Sequence, residues 1–189
     1  MNSFAISAVA VLVSFIGYAV YFRGILSGKT KPHAFSWFVW GVLTAIVAAA
    51  QFAENAGFGA WITGLTALAC FTISVLALKF ERVTFPLLDW FCLIGALFSI
   101  ALWAYLKDPM ISVVLVCLID FIALIPNIRK AYNKPFEENP FIFATGALKF
   151  FLSLFVLSTF NLTTALYPIY TVTVNTLFVL FIIIKRNRD

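Results

Sequence analysis

The chain has 189 residues, of which 63% are hydrophobic and only 11% charged, with a formal net charge of +5. An average soluble domain is roughly half apolar and a quarter charged, so this much apolar surface has no aqueous core to hide in and lipid is the expected solvent. The basic residues are scattered over short hydrophilic breaks rather than gathered in a stripe, which argues against nucleic acid as a partner; Cys70, Cys92 and Cys117 lie singly in apolar runs, without the spacing of a disulfide framework or a metal site.

A helix rises about 1.5 Å per residue, so about 20 apolar residues cross the roughly 30 Å hydrocarbon core. Seven stretches qualify. The first covers about 4–22; Met1 to Phe4 carries no lysine or arginine, so it reads as a span rather than a cleavable signal. Ser27-Gly28 and Pro32 separate it from a second span at 35–53, and Asn55 to Gly59 make the turn into a third at 60–78. The fourth is expected at 84–106, the fifth at 109–128 after Asp108-Pro109, the sixth at 140–160 behind Pro140, and the seventh at 164–184.

Lys and Arg set the orientation. One side collects Arg23, Lys29, Lys31, Lys79, Arg82, Arg129, Lys130, Lys134, Lys185, Arg186 and Arg188, whereas the other has only Lys107. The positive-inside rule therefore predicts a cytoplasmic C-terminus and, with an odd number of spans, an outside N-terminus in a multi-pass protein of the cell (inner) membrane.

The chain also repeats itself. Arg23 and Arg129, Pro32 and Pro140, and Lys79 and Lys185 recur at nearly constant spacing. The expected fold class is all-α, with a first three-helix unit over 1–82, a linker helix over 83–108 and a second three-helix unit with its tail over 109–189. In the linker, Gly95 and Ser99 offer a close-packing face.

This organisation resembles the SWEET and PQ-loop superfamily of small transporters, with three-plus-one-plus-three helices and an outside N-terminus. Where that family has a Pro-Gln dipeptide near the end of the first helix of each half, this sequence has Tyr18-Ala19 and Pro126-Asn127. The resemblance implies a hinge at Pro126 and Asn127 and a central site for a small polar solute such as a sugar.

Charge inside a span is costly unless paired or hydrated, which draws attention to Asp120 and Lys149. Both fall roughly 13 Å from the cytoplasmic boundary at the helical rise, so they can meet. Asn175, Trp40 and Ser14 come to nearly the same depth, with Thr66 or Cys70 able to complete the layer. In the SWEET-like families an asparagine on the third helix of a unit and a tryptophan on the second face the substrate, and Asn175 and Trp40 match them by helix and depth. Asp120 and Lys149 either lock the fifth helix to the sixth as an ion pair, or face a central cavity and there hold a zwitterionic or polar solute or exchange a proton.

The sequence has no nucleophile with a base, no haem pair and no phosphate loop, so neither an enzyme nor a cofactor is expected. The expected function is a facilitator or proton-coupled carrier of a small polar solute, bound by Trp40, Asp120, Lys149, Asn175 and Ser14, with lipid as its other partner and homo-oligomerisation left open. The alternatives are a non-transporting sensory or assembly membrane protein, and a vitamin carrier of the same helix count.

Overall fold

The computed structural model describes residues 3–30, 32, 34–78 and 87–188, except for ten side chains within that range, including those of Cys92, Ser99 and Pro126. The boundary expected at 82–83, together with Lys79 and Arg82, lies outside the described residues. Among the described residues the chain forms seven α-helices and no strand: α1 (Ser3–Leu26), α2 (Ala34–Ala53), α3 (Phe58–Ala77), α4 (Leu87–Leu106), α5 (Pro109–Asn133), α6 (Pro140–Leu154) and α7 (Leu162–Arg186), with a 3₁₀ turn at Pro135–Glu137. The helices α1, α2, α3, α5 and α7 are long and apolar enough to cross a membrane. Their outer faces bear large apolar side chains such as Phe15, Leu68, Phe121 and Leu177, each more than half exposed, a surface that suits a bilayer and not water.

Local chemistry sets the helix ends. Asn55 closes α2 in the left-handed region at φ 55°, with Ala56 N donating to Gln51 O at 2.9 Å and Asn55 N to Phe52 O at 3.0 Å, the paired bonds of a Schellman cap. Asn139 caps α6, its side chain accepting from Phe141 N at 3.0 Å with Pro140 at the first position, where no N–H is needed. Asn161 caps α7 in a reciprocal box with Thr164.

Two helices differ from expectation. The fifth continues to Asn133, so Pro126 and Asn127 lie inside an unbroken helix rather than at its end. The sixth stops at Leu154 instead of running to 160. Its last turn tightens, with Phe155 N donating to Leu152 O at 3.2 Å and Val156 N to Ser153 O at 3.1 Å. The chain then leaves the helix to bridge Leu157 to Gly57, and Ser158 N donates to Ala56 O at 3.0 Å. The apolar character of 155–160 signalled a helix, but pairing with the α2–α3 turn satisfies the same backbone groups. With 15 residues α6 is about 22 Å long, short of a full crossing.

In the packing, α3 lies between α1 and α2 and α7 between α5 and α6; the backbones of neither flanking pair come close, although Tyr21 of α1 reaches Trp37 of α2 with ring centroids 5.1 Å apart. Across the molecule α1 packs on α6 and α5 on α2, while α2 meets α7 and α6 meets α3. This set of neighbours is unchanged when α1, α2 and α3 are exchanged with α5, α6 and α7. Only α4 stands outside it, packed on α5 and α2, with Gly95 facing Ile119 of α5.

One contact in this packing follows from a proline. Pro168 sits buried inside α7 and has no N–H to donate to the Thr164 carbonyl four residues back. Gln51, wholly buried on α2, donates its side-chain Nε2 to that carbonyl at 2.8 Å. In a water-free interior such a carbonyl needs a partner, and α2 supplies it.

Candidate functional site

The polar residues singled out in the sequence converge on one cavity of about 100 Å³, walled by α1, α2, α3, α5, α6 and α7. Ser14, Trp40, Asp120, Lys149 and Asn175 all line it, as do Thr66 and Cys70. Asn127 is not among the described residues of its wall; the Pro126 side chain lies outside the described residues.

Asp120 and Lys149 share the cavity but are not paired with each other among the described residues. Each is held by a tyrosine instead. Tyr170 Oη of α7 donates to Asp120 Oδ2 at 2.8 Å, and Lys149 Nζ donates to Tyr18 Oη of α1 at 2.9 Å. The Lys149 ammonium also sits over the rings of Tyr18, at 4.8 Å, and Phe150, at 5.1 Å, whose π-faces favour a cation. Of the two alternatives for these charges, the ion pair that would lock α5 to α6 is not formed among the described residues, for a topological reason: α7 runs between the two helices and their backbones do not come close. Lys149 is 4% exposed, a charge committed to the interior.

The cavity hydroxyls are turned toward their own helices. Ser14 donates to Ala10 O at 2.8 Å, Thr44 to Trp40 O at 2.7 Å, Thr66 to Ile62 O at 2.9 Å and Thr171 to Tyr167 O at 2.8 Å. Their protons are thereby used, and they offer lone pairs to the cavity. Trp40 stands edge-on to Trp37, with ring centroids 5.3 Å apart, and its buried Nε1 has no hydrogen-bond partner among the described residues. Asn175 packs against Gly146: a Cβ there would lie 2.8 Å from the Asn175 amide nitrogen, so only glycine leaves the amide its place. Gly41 makes room in the same way for Phe71, whose ring would lie 2.7 Å from a Cβ.

The lining residues fall at matched positions. Ser14 and Asp120 are 106 residues apart, as are Tyr18 and Leu124; Trp37 and Ile142, Trp40 and Thr145, and Thr44 and Lys149 are 105 apart; Thr66 and Tyr170, and Cys70 and Val174, are 104 apart. The glycine contacts follow the same offsets, since Gly41 corresponds to Gly146 and Phe71 to Asn175. Lys149 thus corresponds to Thr44 in the first set of helices.

The tyrosines Tyr18, Tyr167 and Tyr170 were not foreseen. Tyr18 lies one turn after Ser14 and Tyr170 about one turn before Asn175, so helical spacing from residues already identified was the available signal. At the expected cytoplasmic end, Arg186 pins α7 to the α5–α6 connection through Pro135 O at 3.0 Å and Glu138 O at 2.7 Å, and Lys185 lies 4.0 Å over Tyr132.

No known protein family, characterised protein or solved structure matches this chain.

Proposed function

We propose that the protein is a membrane carrier for a small polar solute, built on the SWEET-like plan as two three-helix units, α1–α3 and α5–α7, joined by α4, with the N-terminus outside and the C-terminus in the cytoplasm. The observation that carries this reading is the cavity: it lies between the two units, is lined by both at matched positions, and holds two charges that do not neutralise each other. A buried carboxylate and ammonium kept apart in a low-dielectric interior favour a polar occupant over an empty space. The invariance of the helix packing under exchange of the two units supports the parallel repeat, and with it alternating access around a central site.

The volume sets the scale of the solute. At about 100 Å³ the cavity is well below the several hundred Å³ of drug-sized ligand sites, which suits a solute of a few heavy atoms. The test is uptake of labelled polyols, sugars and amino acids into proteoliposomes containing the full chain. Asp120→Asn and Lys149→Met should each abolish uptake while the helical circular dichroism persists; undiminished transport by both variants would remove the cavity from the mechanism. A cysteine at Asn187 should react with a membrane-impermeant thiol reagent from the cytoplasmic side alone.

A further inference from the structure

The geometry points to a zwitterion as the occupant of this cavity, a solute with an ammonium and a carboxylate close together, as in a small α-amino acid. This rests on the carrier reading above and narrows it to a substrate class. The argument begins from the two charged poles. Lys149 has one ammonium proton on Tyr18 and the rings of Tyr18 and Phe150 beside it, and among the described residues no carboxylate pairs with it, so it lacks the negative charge that a buried cation calls for. Asp120 has one oxygen bonded by Tyr170, a neutral donor, and likewise lacks a cation among the described residues. The phenols hold the two side chains in place without cancelling their charge.

A neutral sugar would add hydrogen bonds at both poles and leave both charges uncompensated. An anion alone would serve Lys149 and be repelled by Asp120, and a cation alone would do the reverse. A zwitterion places its carboxylate at the Lys149 pole and its ammonium at the Asp120 pole, and so satisfies both at once. The matched positions make the orientation unique. Across the pseudo-axis Asp120 faces a serine and Lys149 a threonine, so each charge occurs once and the solute has one favoured direction in the cavity.

The experiment is ligand-induced thermal stabilisation of the full chain in nanodiscs, with glycine, alanine and proline as zwitterions, propionate as the carboxylate alone, ethylamine as the ammonium alone and glycerol as the neutral polyol. The zwitterions should bind roughly tenfold or more tightly than either single-charge probe, since truncating one partner of a buried charge pair costs at least that factor. Asp120→Asn should erase the advantage of alanine over propionate, and Lys149→Gln its advantage over ethylamine. Either variant, if it failed to fold, is replaced by the single-charge probes on the unaltered protein, which test the same point. Stabilisation by glycerol equal to that by alanine, undiminished in both variants, would overturn the zwitterion and leave a carrier of neutral solutes. Folded protein stabilised by none of the probes, in vesicles that take up none of them, would overturn the zwitterion and the carrier reading together.

Discussion

The bond from Gln51 to the Thr164 carbonyl makes a quantitative prediction about how this fold tolerates a proline in its last helix. Replacing Gln51 by Met keeps the volume and removes the Nε2 donor, 2.8 Å from a carbonyl that Pro168 has left without its intrahelical partner. An unsatisfied buried carbonyl costs about 1–3 kcal/mol. Against this, Gln51 Oε1 has no hydrogen-bond partner, so Met also removes an orphaned acceptor and offsets part of the loss. The net effect of Gln51→Met is therefore a destabilisation of about 1 kcal/mol, within the range of interhelical hydrogen bonds in membranes. The same substitution in a Pro168→Ala background should cost close to nothing, because residue 168 then donates to Thr164 itself. Reversible unfolding in bicelles by SDS titration, followed by circular dichroism, measures all four corners of the cycle. Equal losses in the two backgrounds would refute the pairing of proline and glutamine and leave Gln51 a packing residue only.

Three other outcomes follow from the packing. Asp120→Ser should lose solute binding, and exchanging both charges across the cavity, Asp120→Ser with Ser14→Asp and Lys149→Thr with Thr44→Lys, should restore it, because the two pairs of positions correspond; binding is read by thermal shift, and a folded fourfold variant as inactive as the single one would break the correspondence. Gly146→Ala pushes a methyl into the Asn175 amide, and should cost about 1–3 kcal/mol of overpacking together with a loss of affinity, measured on the same samples. Gly57→Ala should lower the unfolding midpoint through about 1–2 kcal/mol of backbone strain at φ 64° and a clash with Ser158, whereas Gly64→Ala, where only Ala48 lies near at 4.0 Å, should leave it nearly unchanged.

Much of this arrangement was legible in the chain because a bilayer imposes a simple grammar. Apolar length gave the helices, and nine residues of helical rise put Asp120 and Lys149 at one depth, which is why they appear in one cavity. Depth, however, says nothing of azimuth. It offered no way to see that α7 separates α5 from α6, and so no way to choose between an ion pair and the two tyrosine contacts that are found. It also misjudged 155–160, where a tertiary partner and not local apolarity decides the backbone conformation. The correspondence of Thr44 with Lys149 needed the cavity itself, since loops of unequal length shift the register helix by helix. Gln51 lies near the end of α2 and Pro168 within α7, and that the one answers the other requires knowing that α2 and α7 touch.

The contact between the two short turns, Ser158 N on Ala56 O beside the Gly57–Leu157 bridge, is made from main chain. Side chains at its edge, Asn161 on Glu54 at 2.8 Å and Thr159 on Asn55 O at 3.3 Å, add to it without composing it. A clasp written in peptide groups does not depend on the chemistry of the side chains that carry it. Apart from crowding at the Gly57–Ser158 approach, its weak point is the imino acid: a proline at 158 has no N–H to give Ala56 and would unfasten the clasp.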